Sequence, residues 1–167
     1  TTAVSGLGSD LVANGNYDSL SSELVTNGDF STDSSWSKGT GWVISNNVAK
    51  YSGTSNSNFE QSNILTANKN YKLVYKINES TIDGTVKLMG QTVSGTVALE
   101  KTTGTHTLFF TSNGTNGTDF GVRIVSNTTG NYTIDSISIK EVLDTDWTKG
   151  TGWTIQDNQA QYSGSAD

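Results

Sequence analysis

The segment Trp36-Ser37-Lys38-Gly39-Thr40-Gly41-Trp42 returns 111 residues later as Trp147-Thr148-Lys149-Gly150-Thr151-Gly152-Trp153. The match continues through Ile44/Ile155, Asn47/Asn158, Ala49/Ala160 and Tyr51-Ser52-Gly53 against Tyr162-Ser163-Gly164, so that 12 of the 18 positions from Trp36 to Gly53 are identical. Chance does not give such a match in a chain with only four Trp. A fixed period marks a structural unit that is used more than once. The 167 residues therefore divide into three parts. Residues 1–22 read as a Gly/Ser-rich linker or docking arm, 23–143 as one complete module, and 144–167 as the first hairpin of a second, truncated copy. A fainter echo, Leu11-Val12-Ala13-Asn14-Gly15-Asn16-Tyr17 against Leu24-Val25-Thr26-Asn27-Gly28-Asp29-Phe30, reads equally well as recurring Asn-Gly composition.

Alternation and turn punctuation give the elements of the module. Residues 24–26 predict a short entry strand. Residues 41–45 and 48–52 predict a hairpin across Asn46-Asn47, a pair that tolerates positive φ. Strands follow at 59–65, 70–78, 85–89, 93–100 and 106–112. Tyr71, Leu73, Tyr75 and Ile77 share one face of the 70–78 strand, with Lys72 and Lys76 on the other. Phe120, Val122 and Ile124 alternate with Arg123. In the last strand, 132–141, Ile134 and the pair Ile137 and Ile139 change phase, which predicts a bulge near Asp135-Ser136. Many short strands between turn signals, with no 3.6-residue period anywhere, give an all-β fold: an antiparallel β-sandwich or jelly roll.

Composition narrows the function. The apolar fraction is 32 %, but its members cluster on the strand faces, as a thin core between two sheets requires. The formal charge is −6 with the ten basic residues spread thinly, so there is no basic stripe for nucleic acid. Cys is absent, which excludes disulfides and thiolate metal sites. No apolar run reaches the roughly 20 residues of a membrane span, and no signal peptide is visible. The chain lacks an initiator Met, as a processed or excised piece does.

The opening Leu24-Val25-Thr26-Asn27-Gly28-Asp29-Phe30, the Trp36 to Trp42 segment and the closing Tyr132-Thr133-Ile134-Asp135-Ser136-Ile137-Ser138-Ile139-Lys140-Glu141-Val142 together resemble the two ends of carbohydrate-binding-module-like jelly rolls. Their wording is similar to modules of bacteriophage tail-fibre and virion-surface proteins. The resemblance covers roughly residues 23–143. It implies a non-enzymatic structural or adhesion module of a tail fibre, head fibre or capsid decoration. It also implies self-association, as a homotrimer by analogy with fibres, contact with other virion proteins, and weak binding of cell-surface glycan. The location implied is the virion surface. The alternative is a glycan-binding module of a secreted bacterial enzyme or cell-surface protein. In this family a structural calcium often joins the opening and closing strands. Asp135 matches one ligand position, while Ser31 stands where a Glu is usual, leaving Asp29 or the Asn27 carbonyl as substitutes. Calcium takes 6–8 oxygen ligands, more than these supply.

Aromatic rings are the remaining handle, since the C–H faces of sugars stack on flat rings. Trp36, Trp42, Tyr51 and Phe59 are the candidate ligand-binding residues. Trp42 alternates with Ile44, which also fits a role closing the core, and Trp36 is divided between lid packing and ligand contact. Catalysis has no comparable support. Glu60, Asp83, Glu100 and Asp119 sit beside no recurring motif, and hydrolysis of a glycan needs two carboxylates in fixed geometry. His106 is the only His and lies within a strand, so it cannot build a histidine metal site. The Gly-rich stretches precede no helix and match no phosphate loop. Sequons at Asn127 and Asn131 are what Asn/Thr-rich sequence produces by composition.

Overall fold

The computed structural model describes residues 19–125, 129–143, 151, 153–156 and 159–163. Eleven strands follow in chain order: β1 (Ser37–Lys38), β2 (Trp42–Ser45), β3 (Val48–Gly53), β4 (Ser57–Gln61), β5 (Asn70–Ser80), β6 (Val86–Leu88), β7 (Gly104–Thr111), β8 (Phe120–Ile124), β9 (Gly130–Glu141), β10 (Trp153–Gln156) and β11 (Gln159–Tyr162). One sheet has the order β2-β3-β9-β5-β7 and a second the order β1-β4-β8-β6. All the strand pairings in both are antiparallel. Side chains alternate between buried and open along β2, β4 and most of β5, the signature of sheets with one face on the core and one in water. The chain is an all-β antiparallel sandwich, as its strand pattern predicts.

The core is built from both aromatic and aliphatic side chains. Tyr51, Phe59, Phe120, Tyr132, Leu73, Ile77, Leu88, Ile134 and Ile139 are each less than 2 % exposed. The β2–β3 turn places Asn46 and Asn47 at φ 53° and 58°, the doubly left-handed turn that a two-residue hairpin needs. Trp42 pairs with Tyr51 and Ile44 with Ala49 in the register of that hairpin. Gly41, at φ 89°, opens it; a Cβ there would stand 2.9 Å from both the Ser52 carbonyl and the Tyr51 ring.

The bulge expected near Asp135-Ser136 is present, and it has a partner. Lys76 pairs with Ser136 and Ile77 with Ile134, which leaves Asp135 as the extra residue of β9. One step further Glu79 pairs with Thr133, which leaves Asn78 as the extra residue of β5. The two extras cancel in register, and the Asn78 amide donates to Asp135 Oδ1 at 2.7 Å.

Two expected strands are not strands. At 93–100 the chain makes only a bridge between Lys87 and Ala98, flanked by Leu88 N–H to Val97 O and Leu99 N–H to Val86 O, both 2.9 Å. Gly95, at φ 82°, breaks the extended run. At 24–26 the backbone touches β9 through Leu24 N–H to Ile139 O at 3.0 Å, while the Glu23 side chain accepts from Ile139 N–H at 2.8 Å. A side chain thus supplies a bond that a ladder would supply from backbone. The strand expected at 59–65 instead begins at Ser57 and ends at Gln61.

β10 and β11 form a two-stranded sheet of their own. Trp153 pairs with Tyr162 and Ile155 with Ala160. Each pair is the β2–β3 pair displaced by 111, so the sequence repeat is also a repeat of register. The linker expected at 1–22 lies outside the described residues as far as 18, as do the echo at 11–17, Asn127 and the repeat's Trp147-Thr148-Lys149-Gly150.

Candidate functional site

The four aromatic candidates come together, but inside the sandwich. Phe59, on the inward face of β4, lies between two tryptophans: Trp36 stacks on it at 4.4 Å between centroids and Trp42 at 4.7 Å. Tyr51 meets Trp42 at 5.6 Å, and Phe30 completes the cluster at 5.7 Å from Trp36. Trp36, Trp42, Tyr51 and Phe59 are 6 %, 4 %, 0 % and 0 % exposed. Rings whose faces are covered by one another offer none to a sugar, so the expected stacking platform is instead the plug of the core. Trp36 also donates from Nε1 to the Asn27 carbonyl at 3.1 Å, locking the Asn-Gly corner over this end. Gly28 is required there: a Cβ would stand 2.1 Å from the Ile137 carbonyl.

The two candidate calcium ligands do not fit a calcium site. Both oxygens of Asp135 are engaged, Oδ2 by the Lys76 ammonium at 3.0 Å and Oδ1 by Asn78. An ammonium stands where a cation would. Lys76, then Asn78, holds the Asp135 carboxyl below the usual carboxylate range. Asp29 Oδ1 accepts from the Ser31 hydroxyl at 3.1 Å and from Ser31 N–H at 3.3 Å. The Asn27 carbonyl is taken by Trp36 and by Phe30 N–H. Among the described residues no group of three or more His, Asp or Glu gathers as metal ligands do. The opening and closing segments are joined by Glu23, whose carboxylate accepts from Ile139 N–H, from Val25 N–H and from the Ser138 hydroxyl at 2.6 Å.

The carboxylates weighed for catalysis are scattered among structural duties. Asp83 accepts from the hydroxyl and N–H of Thr129, both at 2.7 Å, which lowers its pKa. Asp119 accepts from Asn63 N–H at 2.9 Å. His106 packs by Tyr75 at 5.3 Å and bonds the Thr102 carbonyl, the strand role its sequence position indicates.

A concave polar surface lies on the outer face of the four-stranded sheet. Two adjoining hollows of about 320 and 330 Å³ share Asn58 and Arg123. One extends over Ser37, Thr40, Asn56 and Glu60, and the other over Gln91 and the Met89-Gly90 corner. β4 and β8 place Asn58 directly opposite Arg123 and Glu60 opposite Gly121. Amide, carboxylate, guanidinium and hydroxyl groups thus line a groove of the size that holds small ligands. Sequence alternation marks Asn58, Glu60 and Arg123 as outward. It does not show that β4 and β8 are neighbours, which is why the groove is not legible there.

No family model matches the chain, and no curated protein matches it. Among solved structures it is similar to the mannan-binding module from Man5C, with 18 % identity, 65 % of this chain and 94 % of that one covered, and a TM-score of 0.49. It is similar to a structure described as "CBM4 structure and function", with 16 % identity, 78 % and 99 % coverage, and a TM-score of 0.41. It is also similar to the enzymatically active domain of tailspike protein 4 of bacteriophage CBA120, with 15 % identity, 72 % of this chain but 21 % of that one covered, and a TM-score of 0.46.

Proposed function

We propose that this chain is a non-enzymatic adhesion module, one unit of a tandem surface array that holds glycan weakly in the groove over β4 and β8. The observation that carries the reading is the groove itself. Its Asn58, Glu60, Gln91, Arg123 and Thr40 can pair with hydroxyls in both donor and acceptor roles. With Trp36, Trp42, Tyr51 and Phe59 inside the sandwich, hydrogen bonding in the groove has no stacking from these rings to reinforce it, which favours weak, repeated attachment over tight capture. The sequence resemblance to carbohydrate-binding-module-like jelly rolls of virion-surface proteins supports a place on a tail fibre, head fibre or capsid decoration. Its partners there are a homotrimer of this chain and other virion proteins. The repeated hairpin register supports the array.

A second reading is a glycan-binding module of a secreted bacterial enzyme or cell-surface protein. It is favoured by a sandwich core that closes without a partner, as a tethered module's must. Light scattering separates the two: a trimer supports the fibre, and a strict monomer removes it. For the glycan reading itself, the chain on an array of neutral and acidic polysaccharides should bind at least one with a Kd of roughly 10⁻⁴ M. Asn58→Ala should weaken that binding several-fold while leaving the melting curve in place. Absence of any retained saccharide, or indifference to Asn58→Ala, would sink the reading.

A further inference from the structure

We propose that the groove is selective for an acidic saccharide whose carboxylate is seated on Arg123, an inference that rests on the glycan-binding reading above and narrows it. Arg123 is the only arginine of the chain. It stands in the middle of β8, half-buried, directly opposite Asn58 on one side and Lys87 on the other. Like charges placed directly opposite on one face of a sheet destabilise the pairing. Among the described residues no ion pair neutralises either cation. Lys38, Lys50, Lys69 and Lys76 are paired with Asp33, Glu79, Glu141 and Asp135. Lys101 is bound to the Gly84 carbonyl at 2.8 Å. On a chain of net charge −6, unneutralised positive charge is left beside the groove over β4 and β8.

The contrast with the other facing lysines sharpens the point. Lys72 stands opposite Lys140 in the five-stranded sheet, but Lys72 carries its ammonium over the Phe109 ring, 5.9 Å from the centroid. Among the described residues Arg123 and Lys87 have no such relief, and a local cost without a structural return is expected at a binding position. An anion lying across the two removes the repulsion and takes the flat guanidinium fork in two parallel bonds. Glu60 shares the groove and repels further negative charge, so the fitting ligand has one carboxylate and otherwise hydroxyls. That describes a sugar acid rather than a sulfated or phosphorylated chain. Asn58, Gln91 and Glu60 are placed for the hydroxyls.

The test compares each acid with its neutral counterpart on the full chain, by titration calorimetry. Galacturonate is set against its methyl ester, and sialyllactose against lactose, with inorganic sulfate as an anion without a sugar. At least one acid should bind about tenfold or more tightly than its neutral counterpart, a charge-assisted bidentate bond being the difference. Arg123→Gln should abolish that preference, Lys87→Gln should reduce it, and Lys140→Gln should leave it intact. Circular dichroism melting should show all three variants folded. Equal binding of acid and neutral forms, an unchanged preference in Arg123→Gln, or sulfate competing as well as the acid would overturn the inference while the glycan reading stands. If no saccharide here or on the array binds at all, both fall.

Discussion

Phe59 is where the repeated motif acts. Its ring is stacked on both faces, by Trp36 and Trp42, and the two tryptophans are the first and last residues of the motif. The Ser-Lys-Gly-Thr-Gly spacer between them carries the chain along β4, with Gly39 N–H bonded to the Asn58 carbonyl at 2.8 Å. Trp42 is legible as core from its alternation with Ile44. Trp36 is not, because the residues that cover it, Phe59 and Phe120, arrive from distant strands and its own flanks are polar. Phe59→Ala should cost about 3–5 kcal/mol in urea unfolding, from lost transfer and a cavity between rings that cannot collapse together. Phe59→Leu should cost roughly half of that. The expected stability of the whole domain is about 5–15 kcal/mol, so the alanine variant should lose a large share of it. A loss under about 1 kcal/mol would mean that the stack does not close the core.

At the scale of elements, the closing strand shows both the reach of pattern reading and its limit. The phase change between Ile134 and Ile137 betrays the extra residue in β9. The compensating extra residue in β5 leaves no such trace, because Asn78 and Glu79 follow Ile77 as two polar residues whose order says nothing about facing. Val93, Val97 and Leu99 mimic a strand although only one bridge forms there. The opening segment misleads in the opposite sense. Its tie to β9 combines the backbone bonds Leu24 N–H to Ile139 O and Ile137 N–H to Gly28 O with the Glu23 carboxylate, and its tie to the other sheet runs through Gln61, whose side chain exchanges bonds with the N–H and carbonyl of Thr26. A side-chain clamp of this kind makes a bridging cation unnecessary. Glu23→Gln should therefore lower stability by about 1–3 kcal/mol, since the neutral amide replaces an ionised acceptor of three bonds. Neither calcium nor a chelator should move the melting point of the unaltered chain. A rise of several degrees with calcium would show that the clamp is completed by metal after all.

For the whole molecule, the period of 111 places the expected boundary near Asp144. Val142 N–H reaches the Asn70 carbonyl and Leu143 N–H the Ser19 carbonyl, both at 2.8 Å, and among the described residues after Leu143 no strand joins either sheet. The β10–β11 hairpin repeats the register of β2–β3. Trp153 is 48 % exposed where Trp42 is 4 %. In the first copy β3 is bonded to β9, and Phe59 covers Trp42. A two-stranded hairpin is marginal by itself, so whatever order β10–β11 has contributes little to the sandwich. Ending the chain after Leu143 should then leave the urea midpoint and its slope unchanged within about 0.5 kcal/mol of stability, because distant, independent parts add without coupling. If the truncated chain instead melts several degrees lower or loses its cooperative transition, the last 24 residues belong to the first sandwich. The 111-residue repeat would then mark an internal duplication of one fold and not the start of a second.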